Sequence, residues 1–250
     1  MTSGGSKQKS RFIDSRWMSW LKSLGAFVRY NASNIFAGRF IYFLFLAIAL
    51  FLTVVVIYAL DEETPPTAEA VYYFLLVPGA LLVFYPSAYS IQADVDAGMA
   101  ETLFGIPDYR YKVWLARNLS QYVVIAILLL MLALFCRAAM ADFSVSSMLF
   151  QVMFPVLFLG SLGFMIATLL RSGNAAAVIM ILLVLALWIA EEPLEESRWN
   201  LFHNPFKQVD IYQTLAWMET TLFNRVYILV GSLVSIMLAL LRLQKREKFI

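Results

Sequence analysis

The chain has 250 residues, of which 61% are hydrophobic and only 14% are charged. This composition excludes an ordinary soluble domain, in which about a quarter of the residues carry a charge. The net charge is only +2, yet basic and acidic residues are distributed unevenly along the sequence. We therefore expect a membrane protein.

The residue types that usually carry chemistry are scarce. Cys136 is the only cysteine and His203 the only histidine, so we expect no intrachain disulfide and no cysteine metal cluster. A serine protease built on Ser161 would need a base inside a span, and none is present. No GxxxxGK[ST] motif occurs, which excludes a P-loop ATP site in this sequence. We expect a chain with no catalytic, cofactor or metal site of its own.

The first 38 residues combine a polar, basic stretch with an amphipathic segment. Residues 1–10 are small, polar and basic. From Phe12 onward, apolar side chains recur at helical spacing, and two tryptophans suit the headgroup region of a membrane. The stripe consists of Ile13, Trp17, Trp20, Leu21, Leu24, Phe27 and Val28. This pattern predicts an N-terminal amphipathic interfacial helix.

Six apolar runs follow, and we interpret each as a transmembrane helix because a span needs about 20 apolar residues. The second run contains Pro78 and Pro86, which predict a kinked or partly opened helix. The fifth has only 16 residues, so we expect it to extend into Glu191 or to be shielded by partner helices. Gly160 and Gly163 in the fourth permit close helix contact. The runs are residues 40–60, 71–93, 119–136, 148–170, 175–190 and 226–241.

The polar region between the fifth and sixth spans, residues 191–225, also contains a helical pattern. Its apolar residues predict an extracytoplasmic helical segment that lies in or on the membrane after the turn His203-Asn204-Pro205. These residues are Ile211, Leu215, Met218 and Leu222.

Two features of the same region are ambiguous. The acids Glu191, Glu192, Glu195 and Glu196 could attract a cation, but an acidic run is more often a solvated face, and we favour that interpretation. His203 with Asp210 could form half of a metal site, although a single histidine in a loop rarely does.

The charges give the orientation. The N-terminal segment, the loop between spans two and three, the RSGN turn at 171–174 and the C-terminal segment hold 15 of the 19 Lys and Arg residues, whereas 11 of the 17 acids lie in the opposite loops. The positive-inside rule then places both termini in the cytoplasm. We expect one transmembrane domain over 1–250: a tail and interfacial helix at 1–38, a six-span bundle at 39–242, and a basic tail at 243–250.

The loop between spans two and three, here called the island, covers residues 94–117 and reads DVDAGMAETLFGIPDYRYKVWLAR. Its first half predicts a short helix with an apolar stripe of Met99, Leu103 and Ile106 and with Glu101 off that stripe. Pro107 ends this helix, and the next residue, an aspartate, can cap the following one.

The island resembles the first cytoplasmic loop of type-2 ATP-binding-cassette exporter permeases. In that family this loop is the coupling helix that docks on the ATPase subunit, and the departures here are Met99-Ala100 and Asp108-Tyr109. The residues that carry the resemblance are Asp94, Asp96, Gly98, Glu101, Leu103, Phe104, Pro107, Arg110, Val113, Ala116 and Arg117. It implies ATPase-docking roles for Gly98, Glu101, Leu103, Phe104, Pro107 and Arg110, and a weaker one for Arg171 in the RSGN turn.

The resemblance implies an all-α membrane protein of the inner membrane, acting as the permease subunit of an ATP-driven exporter. Its partners would be a cassette ATPase, which binds ATP and Mg²⁺, a second permease copy or homologue, and the lipid bilayer, but no nucleic acid. The centres of the spans lack charge, which suits a hydrophobic or amphiphilic substrate and disfavours an ion-coupled transporter. The alternative is a non-transporting anchor or assembly subunit of an envelope complex.

Overall fold

The computed structural model describes residues 40–60, 66–96 and 109–243. This part of the chain is all-helical, with six helices and no strand. The helices are α1 (Phe40–Leu60), α2 (Ala68–Asp96), α3 (Tyr109–Ala139), α4 (Val145–Leu170), α5 (Gly173–Ile189) and α6 (Thr214–Leu243).

Five of the six helices are long and apolar enough to cross a membrane, namely α1, α2, α3, α4 and α6. The fifth helix, α5, is apolar but has only 17 residues, which corresponds to about 25 Å of helix. The prediction of a multi-pass, all-helical membrane protein is confirmed. The fifth run is also the shortest helix, as expected from its length in the sequence.

Helix α2 lies at the centre of the bundle and contacts α1, α3, α4 and α5, while α4 also packs against α6. Small residues make the α2–α4 contact possible. A Cβ atom on Gly160 would lie 2.5 Å from Val83 Cγ2 and 2.7 Å from the Tyr122 hydroxyl oxygen. The predicted close approach at this glycine is confirmed, and any larger residue there would push α4 away from α2 and α3.

Helix α2 continues through Pro78 and Pro86, and α4 continues through Pro155. Each proline lacks an N–H, so the carbonyl one turn earlier loses its helical donor. Both prolines of α2 are buried among neighbouring helices, a setting in which packing tolerates the missing bond.

Most helix ends differ from the predicted ones by a few residues, and the largest differences are at the island and at the start of α6. Helices α2 and α3 extend into the island, so that only 97–108 lies between them. The predicted interfacial helix and residues 97–108, including Asp108, lie outside the described residues. Helix α6 begins at Thr214, so Leu215, Met218 and Leu222 belong to the last span rather than to a separate extracytoplasmic helix.

Hydroxyl groups within the spans mostly bond to their own helix. Ser161 donates to the Phe158 carbonyl, and Ser232 donates to the Ile228 carbonyl. Thr53, Thr168 and Ser235 do the same three or four residues back. These hydroxyls are satisfied locally, as is usual for serine and threonine in membrane helices.

Candidate functional site

Most of the predicted docking residues fall in the part of the chain that the structure does not describe. Gly98, Glu101, Leu103, Phe104 and Pro107 lie outside the described residues. Arg110 lies in the first turn of α3.

Arg171 is the remaining docking candidate. It is exposed at the C-terminal cap of α4, with a left-handed φ of 56° and its N–H bonded to the Ala167 carbonyl. The left-handed cap ends α4 sharply, so that α5 can begin two residues later.

The α4–α5 turn, residues 171–174, is attached to the end of α2 that leads into the island. The Gln92 side-chain oxygen accepts from the Gly173 N–H at 2.8 Å. The Tyr89 hydroxyl donates to the Asn174 side-chain oxygen at 3.0 Å. A Cβ on Gly173 would lie 2.6 Å from the Tyr89 ring and 2.7 Å from the Gln92 oxygen, so only glycine fits this contact. We call these two hydrogen bonds the latch.

The opposite end of the bundle carries a cap of consecutive turns between α5 and α6, residues 190–213. Asn200, His203 and Asn204 are buried in it. The Asn204 amide donates to the Glu69 carbonyl at 3.0 Å, which ties the cap to α2. The Asn224 amide donates to the Asn200 carbonyl at 2.7 Å, which ties it to α6. The cap is therefore a folded element rather than a solvated loop.

Arg225 links the cap to three helices. It is only 6% exposed, and its Nε donates to the Gln151 side-chain oxygen of α4 at 2.8 Å. One Nη donates to the Asn224 side-chain oxygen at 3.0 Å. The other donates to the His203 carbonyl at 3.0 Å and to the Tyr72 hydroxyl at 3.4 Å.

The sequence analysis counted Arg225 as a residue of the polar region and so missed this role. The sequence does contain a signal that the Arg225 side chain is buried. The buried residues of α6 recur at helical spacing and include Arg225, so its position on a packed face could have been predicted. They are Asn224, Arg225, Ile228, Ser232, Ser235, Ala239 and Leu243.

His203 is a buried structural residue. Its Nε2 lies 2.8 Å from the Thr221 hydroxyl oxygen, and that hydroxyl donates to the Trp217 carbonyl, so Nε2 carries the proton. Nδ1 has no hydrogen-bond partner in the described part of the chain. Burial, with the nearby Arg225 guanidinium as the second cause, lowers the pKa of His203 to about 4. The ring is therefore neutral near pH 7, and it packs against Trp217 in a tilted arrangement, with the ring centroids 4.4 Å apart.

The acidic run divides into a partly buried residue and exposed ones. The Tyr73 hydroxyl donates to the Glu191 carboxylate at 2.8 Å, and burial raises the pKa of Glu191. Lys207 forms an ion pair with Glu195. A cavity of about 480 Å³ lies beside these residues. The predicted solvated face holds for the exposed Glu192 and Glu196 but not for Glu191.

Within the described residues, no group of three or more His, Cys, Asp or Glu side chains could hold a metal ion. His203 and Asp210 thus gain no third protein ligand there. No family model, curated protein or solved structure matches this chain. The fold and its polar contacts alone define it as a multi-pass helical membrane protein with a latched turn at one end and a folded cap at the other.

Proposed function

We propose that this chain is the membrane-spanning permease subunit of an ATP-driven exporter of the type-2 ATP-binding-cassette class, in the inner membrane with both termini in the cytoplasm. The sequence has no P-loop, so a separate ATPase subunit would bind ATP and Mg²⁺. Two permease copies or homologues would act with two ATPases.

The observation that carries the proposal is the latch, taken together with the sequence of the island. The island follows directly from α2, and the α4–α5 turn is bonded to the same end of α2 through Tyr89 and Gln92. Both segments with proposed docking roles are therefore attached to one helix. A partner that pushes on either segment would move α2, and α2 contacts α1, α3, α4 and α5.

The substrate class is proposed from the spans. Their centres lack charge, and many of their hydroxyl groups bond to carbonyls of their own helix, Ser161 and Ser232 among them. Ion-coupled transport usually needs ionisable groups at mid-membrane. A hydrophobic or amphiphilic substrate is the class that such spans would accommodate.

The decisive variant is Glu101→Lys, made in the full chain and reconstituted with its cassette ATPase. Glu101 is predicted to face away from the apolar stripe and to contact a basic residue of the ATPase. Loss of one member of a buried charge pair at an interface costs about 2–5 kcal/mol. We expect normal membrane levels with transport-coupled ATP hydrolysis abolished, and a milder loss for Glu101→Gln.

Glu196→Lys is the matched control, because it makes the same charge reversal at an exposed position of the cap. It should retain coupled ATP hydrolysis. Wild-type hydrolysis in Glu101→Lys would contradict the docking role. If the chain co-purifies with the ATPase but does not change its rate of ATP hydrolysis, an anchor or assembly subunit is favoured instead.

A further inference from the structure

A groove of about 530 Å³ runs between α4 and α6 beneath the cap. Its walls are apolar and exposed, and they include Phe150, Met218 and Leu222. Its polar lining includes Arg225, Gln151 and one edge of Trp217. The groove therefore combines an apolar surface with a buried positive charge.

The charge of Arg225 has no counterion among the described residues. All four of its hydrogen bonds go to neutral acceptors, and none of the described carboxylates lies within 4.0 Å. A guanidinium has five N–H donors, so four bonds leave one donor over. The guanidinium also lies over the Phe154 ring, 5.5 Å from its centroid, but a buried charge without a counterion is still costly. An anion in the groove would compensate both the charge and the remaining donor.

Trp217 lines the groove as well, and it also lines the cavity of about 480 Å³ beside Glu191. Its indole Nε1 is buried and has no acceptor among the described residues. An indole N–H usually finds an acceptor when it is buried, so Nε1 is the second donor that the proposed ligand would use.

Arg225 lies in the half of α6 that borders the cap, and the apolar wall of the groove continues past it over Val226 and Leu229. The charged group and the apolar wall are therefore continuous, as the headgroup and an acyl chain of a lipid are.

We propose that this groove binds an anionic phospholipid. The phosphate accepts hydrogen bonds from Arg225 and from the Trp217 Nε1, and an acyl chain packs along Leu222, Val226 and Leu229. The inference does not depend on the proposed transport function, because a structural lipid would use the same contacts.

The test is native mass spectrometry of the purified full chain in detergent, titrated separately with phosphatidylglycerol, phosphatidylcholine, diacylglycerol and inorganic phosphate. We expect phosphatidylglycerol to bind about tenfold more tightly than phosphatidylcholine, because the choline cation of phosphatidylcholine offsets the charge of the same phosphate. Leu222→Trp fills the groove and should weaken phosphatidylglycerol binding about tenfold. The three substitutions of this test, Leu222→Trp, Leu233→Trp and Trp217→Phe, all keep Arg225, which also holds the cap.

Leu233→Trp is the matched control. Leu222 and Leu233 are 61% and 60% exposed on α6, and they lie on one helix face about 16 Å apart. Leu233 does not line the groove, so its substitution should leave lipid binding unchanged. An equal effect of the two substitutions would overturn the site.

Trp217→Phe tests the polar contact, because it keeps an aromatic ring beside His203 and removes only the Nε1 donor. Phosphatidylglycerol binding should weaken about fivefold, while the weak binding of diacylglycerol, which has no phosphate, should stay the same. Unchanged phosphatidylglycerol binding would rule out Nε1 as a ligand. Inorganic phosphate that binds as tightly as phosphatidylglycerol would overturn the assignment to a lipid.

Discussion

The two ends of the helical bundle are built differently. At one end, only two residues separate α4 from α5, and the turn at 171–174 is joined to α2 by the two hydrogen bonds of the latch. At the other end, the cap spans residues 190–213. Buried side-chain amides bond it to α2 and α6, and the Arg225 guanidinium donates to the His203 carbonyl within it. The latched end can move as α2 moves, whereas displacing the cap requires breaking several buried hydrogen bonds.

This difference assigns different tasks to the two ends. A segment that transmits force from a partner must be able to shift at small energetic cost. Several buried hydrogen bonds between distant elements restrain those elements more strongly than two bonds at a partly exposed turn. We infer that conformational change begins at the latched end and that the cap holds the outer ends of α2, α4 and α6 together.

The different tasks of the two ends require that these ends lie on opposite sides of the membrane. We expect all-or-none labelling by a membrane-impermeant maleimide in intact cells, in a Cys136→Ser background. Glu196→Cys in the cap should react from outside, and Gly105→Cys in the island should react only after lysis. Reaction of position 105 in intact cells would contradict the topology and the docking proposal with it.

The next largest effect should come from Arg225→Met. It removes the donor of the Gln151 and Asn224 side-chain oxygens and of the His203 carbonyl. A buried acceptor left unpaired costs about 1–3 kcal/mol, so the free energy of unfolding should fall by about 3 kcal/mol or more. Denaturant titration followed by tryptophan fluorescence would measure it.

Arg198→Met is the control within the same cap. Arg198 is about half exposed and pairs with Glu219 at 3.4 Å. An exposed ion pair contributes at most about 1 kcal/mol. If Arg225→Met and Arg198→Met lower the free energy of unfolding by similar small amounts, the Arg225 network does not stabilise the cap.

Much of the fold could be predicted from the sequence because bilayer thickness imposes a length on each apolar run. The first span, at residues 40–60, agrees with α1 at both ends, and the short fifth run agrees with the shortest helix. The C-terminal end of the fourth run, at residue 170, also agrees with α4, but the ends at the island and the start of α6 could not be predicted in this way. Polar residues such as Asp94 and Thr214 continue a helix beyond the hydrocarbon core, and hydropathy gives no signal there.

The burial of polar residues in the cap was not predicted, for a different reason. The four glutamates of the cap were interpreted as a solvated face, and its asparagines were given no contacts. Burial of a polar side chain depends on partners that are distant in sequence. Gln151 lies 74 positions from Arg225, and Glu69 lies 135 positions from Asn204. Periodicity on α6 could have indicated that Arg225 was buried, but no local pattern identifies its partners.

The pH dependence of the free energy of unfolding tests whether His203 is buried and neutral in the cap. The pKa of His203 is about 4 in the folded chain and about 6.5 as its ordinary value. Between these values the unfolded chain binds more protons than the folded one. The free energy of unfolding should therefore fall by about 2–3 kcal/mol as pH decreases from 6.5 to 4.

Glu191 acts with the opposite sign. Its pKa is raised, so the folded chain binds a proton there more readily, and stability increases as pH falls through the folded pKa. The contribution of His203 is therefore isolated by the difference in free energy of unfolding between the wild type and His203→Phe, since both contain Glu191. Parallel stability curves for the two chains between pH 6.5 and 4 would contradict the buried, neutral histidine.

The smallest effect on stability, but an informative one, should come from Tyr89→Phe in the latch. The substitution removes a single exposed hydrogen bond to Asn174, so the free energy of unfolding should change by less than about 1 kcal/mol. If the latch transmits motion between the α4–α5 turn and α2, ATP hydrolysis coupled to transport should nevertheless decrease. Tyr58→Phe is the control, because the Tyr58 ring packs against Phe74 in another span and its hydroxyl has no bond among the described residues. Equal hydrolysis by the two variants would mean that the latch only positions the turn, and that any coupling runs through the island alone.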